Sequence, residues 1–119
     1  MWYNHAISCT CSKCIAGEKR VKHRLEEKCK ELGEQYSVTT IDFEQVVYRD
    51  FGNGYDLEIS GLWRGRKAKA YIYLWRNKRE IVSILRRVPQ DCIKEAVARL
   101  IDDALHNKFY RREYIREIG

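Results

Sequence analysis

A chain of 119 residues can bury one hydrophobic core and is too short for two ordinary domains. Its 45% hydrophobic and 12% aromatic residues exclude wholesale disorder. The 23 lysines and arginines outweigh 17 acids, and a net charge of +6 favours association with nucleic acid or another anionic surface. No stretch approaches the ~20 apolar residues that span a bilayer, and Met1–His5 carry no basic run leading into an apolar one, so neither a membrane contact nor a secretory leader is expected.

The single domain, residues 1–119, begins with a cysteine-rich segment, residues 1–17. There His5, Cys9, Cys11 and Cys14 read H-x3-C-x-C-x2-C, four plausible zinc ligands in ten residues and a candidate metal site. Structural zinc sites normally join two such halves across a loop, so unliganded thiols are the alternative reading and no other cofactor is implied. Five cysteines cannot all pair within one chain, which points to a reducing, cytoplasmic setting.

From about Glu18 to Leu32 the pattern predicts a charged helix, with Val21, Leu25, Cys29 and Leu32 as its apolar stripe and Gly33 as its C-cap. Residues 38–50 predict one strand, although Phe43, Val46, Val47 and Phe51 would also fit a helical face. Gly52-Asn53-Gly54 is a hairpin signal leading into a second strand, Tyr55 to Trp63. A two-residue loop at Gly65-Arg66 then sets Trp63, Gly61, Ile59 and Leu57 opposite Ala68, Ala70, Ile72 and Leu74, with the apolar residues on one face. A loop at Asn77-Lys78 sets Leu74, Ile72 and Ala70 opposite Ile81, Ser83 and Leu85. Pro89 opens a second helix, whose stripe of Ile93, Ala96, Val97, Leu100, Ile101, Ala104 and Leu105 should cover the Ile59/Ile72/Ile81 face, with Asn107 at its end. Residues 108–119 form a basic aromatic tail that either extends this helix or folds back. The expected fold is α+β: an antiparallel meander of about four strands, an N-terminal charged helix and a C-terminal amphipathic helix packed on the sheet.

That register gathers Arg64, Arg66, Lys67, Lys69, Arg86 and Arg87 at one end of the meander, the footprint of phosphate contacts. Lysines and arginines at hairpin tips also solubilise a sheet, so the patch is weighed against that bland role. The second sheet face carries Tyr71, Tyr73 and Trp75 among Lys67, Lys69 and Arg86, an arrangement able to stack unpaired bases. Val82 and Ile84 make the same face apolar enough to expect a cover: the first helix, the tail or a second subunit in a homodimer. Asp56 and Glu58 share it and oppose a nucleic acid there. Lys19, Arg20, Lys22 and Arg24 form a second basic run along the first helix, suited to a phosphate backbone or simply to solvent.

The order helix, sheet, helix is similar in architecture to a double-stranded-RNA-binding domain. That resemblance implies a lysine cluster opening the second helix, where this chain reads Pro89-Gln90-Asp91-Cys92-Ile93-Lys94 with one lysine. The element order does not match the RNA-recognition motif, and no family signature surrounds His5, His23 or His106. Asp42, Glu44, Asp56 and Glu58 are the nearest approach to a carboxylate-metal nuclease site, and cross-strand ion pairing accounts for them. The sequence therefore reads as a small basic binding protein without catalytic apparatus, contacting nucleic acid through the Lys/Arg patch. The alternative is an inhibitor or adaptor docking on a nucleic-acid-handling protein, of the kind phages and mobile elements direct against host defence, anti-CRISPR proteins among them.

Overall fold

The structure, a computed structural model, describes residues 12–115. His5, Cys9 and Cys11 of the candidate zinc site lie outside the described residues, and Cys14 is described only as helix backbone. The fold is α+β, with helix α1 (Ser12–Leu32), strands β1 (Ser37–Ile41), β2 (Glu44–Asp50), β3 (Tyr55–Ser60), β4 (Ala70–Arg76) and β5 (Glu80–Val88), helix α2 (Ile93–Leu105) and strand β6 (Arg111–Glu113). The strands form one sheet in sequence order, antiparallel up to β5, with β6 added parallel to it.

Two strands more than the predicted four arise for identifiable reasons. The single strand expected over 38–50 is a tight hairpin, because Asp42 and Phe43 both turn through positive φ, 51° and 67°, and reverse the chain in two residues. The tail folds back instead of extending α2. Asn107, with φ of 60°, ends that helix in a Schellman motif: Asn107 N–H donates to Ala104 O and Lys108 N–H to Asp103 O. The chain then returns along β5, where Ile84 N–H donates to Tyr110 O and Tyr110 N–H to Ser83 Oγ.

Both described helices lie on one face of the sheet. Its central rows run Val47, Ile59, Ile72, Leu85 and then Arg49, Leu57, Leu74, Ser83. Leu25 and Cys29 of α1 join Ile93, Ala96, Val97, Leu100 and Ala104 of α2 in one core over these rows. The predicted stripes of both helices pack except at the end of the second, where Leu105 in the last turn is exposed, and Cys29 and Cys92 serve as buried core residues.

The predicted register between the second and third strands holds, with Ile59 opposite Ile72 and Leu57 opposite Leu74. The loop does not. β3 ends at Ser60, and Leu62–Arg64 form a turn of 3-10 helix in place of continued strand. On the other side of β4 the expected pairing slips. The loop spans three residues, Asn77 to Arg79, so Arg76 pairs with Glu80 and Ile81 moves to the opposite face beside Trp75; a bulge then places Ser83 opposite Leu74 and Leu85 opposite Ile72. Ser83 and Leu85, not Ile81, therefore complete the face under the helices.

Among the described residues neither helix lies over the second face, so α1 is not its cover. Its rows are Tyr48, Glu58, Tyr73, Ile84 and Asp50, Asp56, Trp75, Ile81. The described part of the tail extends the sheet at its edge as β6.

Candidate functional site

The loop from Gly61 to Lys69 is held from three sides. Gly61 has φ of 86°, and a Cβ there would stand 3.1 Å from Lys69 O, so the position requires glycine. Its N–H donates to Glu44 Oε2 of β2 at 2.7 Å, and Ser60 Oγ donates to the same carboxylate. From α1, Arg24 Nη2 donates to Leu62 O and Trp63 O at 3.2 and 2.7 Å. From the entry to α2, Gln90 Nε2 donates to Gly65 O and Ala68 O at 2.8 and 2.9 Å. Leu62 anchors the loop in the core. A segment that reads as a flexible hairpin tip is thereby a fixed platform for its basic side chains.

Between this loop, α1 and the start of α2 lies a groove of about 690 Å³. Arg24 and Lys28 from α1, Arg66, Lys67 and Lys69 from the loop and Lys94 from α2 line it, opposed by Glu27, Glu31 and Asp91. Lys28 pairs with Glu31 at 2.9 Å and Arg66 with Glu27 at 3.7 Å, exposed pairs that hold little energy. Lys67, Lys69 and Lys94 have no ion-pair partner among the described residues, and Lys67 and Lys69 are exposed.

The six-residue patch read from the sequence divides across the sheet end. Arg66, Lys67 and Lys69 line the groove. Arg64 turns back as a brace, donating through Nε to Gly61 O and through Nη2 to Lys69 O, with its guanidinium over the Tyr71 ring. Arg86 stands near Tyr73 on the second face, lowering that phenol's pKa against a larger upward push from burial. Arg87 occupies a bulge with φ of 60°, and its guanidinium lies 3.8 Å from Glu113.

The basic run of α1 divides as well. Arg24 enters the groove, Lys22 lines the opposite flank of the helix, and Lys19 and Arg20 are exposed on its outer part. Lys28, Lys94 and Gln90 are site residues that the sequence reading missed. A signal for Lys94 existed, since the second helix starts where Arg86 and Arg87 end, and a lysine in its first turns must lie near the same sheet end.

On the second face, Tyr71, Tyr73 and Trp75 are half-buried but keep acidic company. Trp75 Nε1 donates to Glu58 Oε1 at 3.1 Å, and the Tyr48 hydroxyl donates to Asp56 Oδ2. Burial holds the Glu58 carboxyl above its ordinary value, against the lowering effect of Trp75 and with a further upward push from Glu44 and Asp42. Asp56, Glu58 and Glu44 are thus occupied by hydrogen bonds from tyrosine, tryptophan, serine and backbone, in place of the cross-strand ion pairs expected for them. Among the described residues, no three His, Cys, Asp or Glu side chains are grouped to hold a metal ion. No described helix is long and apolar enough to cross a membrane. No family model, curated protein or solved structure matches the chain.

Proposed function

We propose that the chain is a binding protein that takes the phosphate backbone of a nucleic acid in the groove between α1, the Gly61–Lys69 loop and α2. One observation carries this reading: three segments far apart in sequence bring Lys28, Arg66, Lys67, Lys69 and Lys94 to one groove. The bracing by Arg24, Gln90 and Glu44 supports it, because a platform fixed before binding loses little conformational entropy on contact. The second face, with Asp56 and Glu58 beneath its aromatics, would repel phosphate and is left out of the interface.

Fluorescence anisotropy with a labelled duplex and a labelled single strand, titrated across salt, tests the reading. Three to six phosphate contacts predict a log-log slope of about −3 to −5 on duplex and shallower on a single strand. A slope near zero, or no binding at low salt, would sink it.

A second reading, docking on a nucleic-acid-handling protein, is favoured by Glu27, Glu31 and Asp91 among the cations of the groove. Alternating charge suits a protein surface better than a run of phosphates. Capture from a nuclease-treated lysate separates the two, since a protein partner survives nuclease and a bridging nucleic acid does not.

A further inference from the structure

The two edges of the sheet are managed differently. β6 is three residues long and wholly charged, Arg111-Arg112-Glu113, which discourages another strand from pairing with it. β1 reads Ser37-Val38-Thr39-Thr40-Ile41, with no charge, no proline and no bulge against β2. Four of its five residues are β-branched, the side chains that favour a pleated strand. Among the described residues only β2 pairs with it.

The Asp42-Phe43 turn fixes which backbone groups of β1 remain open. A two-residue hairpin of this kind closes on a hydrogen-bonded pair, here Ile41 and Glu44. Alternation along the ladder then turns Thr39 and Ser37 toward β2 as well, leaving the N–H and C=O of Val38 and Thr40 facing outward. These two residues are spaced symmetrically about Thr39. An antiparallel copy of the strand therefore meets it with Val38 opposite Thr40 and Thr40 opposite Val38, and with Thr39 against its own copy on the axis.

Beside this edge a second groove, of about 570 Å³, runs between α1 and β1. Cys29 and Tyr36 give it an apolar lining, and Lys22, Lys30, Glu26 and Glu34 supply two charges of each sign. An isologous interface must be self-complementary, and a balanced set of charges meets that condition where a single-sign ligand would face two like charges.

We propose that the chain pairs with a second copy of itself through β1, forming one continuous antiparallel sheet about a two-fold axis at Thr39. The surface is separate from the basic groove, so the two readings stand or fall independently. Sedimentation equilibrium of the full chain under reducing conditions, from low micromolar to near-millimolar concentration, should show the mass rising from 14.2 kDa toward twice that value. Thr40→Pro removes an outward N–H and spares the β1–β2 ladder, so it should stay monomeric with an unchanged circular dichroism spectrum. Thr39→Cys gives a readout that does not depend on how that variant folds. Opposed residues of a non-hydrogen-bonded pair have Cα atoms about 4.5 Å apart, within reach of a disulfide. Mild oxidation, with wild type treated in parallel for its native thiols, should link the two introduced cysteines in peptide mass spectra. A single 14.2 kDa species at every concentration overturns the proposal. So does a dimer that persists in a folded Thr40→Pro variant, or one that lacks the linkage in Thr39→Cys.

Discussion

Removing Lys67, Lys69 and Lys94 together separates the groove from the general charge of the chain. All three are exposed, none has an ion-pair partner among the described residues, and none braces the loop through its side chain. Lys67→Ala/Lys69→Ala/Lys94→Ala should therefore leave the fold intact, with a melting temperature within a few degrees of wild type. Each phosphate contact contributes about 0.9 to the duplex salt slope, so the triple variant should lose about 2.7 from it. Near physiological ionic strength the same three contacts correspond to an affinity loss on the order of a hundredfold. The control is Lys78→Ala/Arg79→Ala/Lys108→Ala, which lowers the net charge of +6 by the same amount at exposed positions remote from the groove. Its slope should stay close to that of wild type. Equal losses in both variants, measured by anisotropy across salt, would show that only net charge matters and refute the groove as the site.

Two further predictions concern the scaffold. A folded-state pKa raised above 4.5 means that Glu58 contributes its full stabilisation below pH 4.5 and loses it as pH rises through the folded value. Glu58→Gln keeps an oxygen for Trp75 Nε1 and removes that loss, so its advantage over wild type in urea titrations should grow from pH 4.5 toward neutrality; a flat or shrinking difference would count against the buried-charge account. At Asn107 the left-handed backbone favours glycine and penalises β-branching. Asn107→Gly should hold or slightly raise stability in thermal unfolding, while Asn107→Val should cost about 1–2 kcal/mol, and equal melting of the two would contradict the cap.

What was legible in the sequence followed periodicity and turn residues with a chemical reason. The stripes of both helices short of Leu105, the cap at Asn107 and the pairing of Ile59 with Ile72 are of this kind. The pairing survived a wrong loop because it depends on which face is apolar. The 3-10 turn at Leu62–Arg64 changes the connection and leaves that parity alone. What was hidden has no local signature. Asp42 tolerates a left-handed backbone, but nothing in Phe43 announces φ of 67°, so the pattern resembles one imperfect strand where two short ones lie. β6 is three charged residues that become a strand only because Tyr110 and Tyr114 hydrogen-bond to β5 on either side of them.

The divided patch has the same origin. In a regular ladder, residues at one end of β4 and β5 keep a fixed offset, and six cations spaced along them would gather. β5 spends one residue between Ile81 and Ser83 and another between Leu85 and Val88 without a partner on β4. The second bulge falls on the two arginines, giving Arg87 its positive φ and leaving Arg86 with the tyrosines of the second face. Cations lost to the groove there are replaced by Lys28 and Lys94, which the helices deliver and no strand register could indicate. A charge patch inferred from hairpin register is therefore only as sound as the assumption of an unbulged strand. The part of this one that lasts is the part carried by the braced loop, Arg66, Lys67 and Lys69.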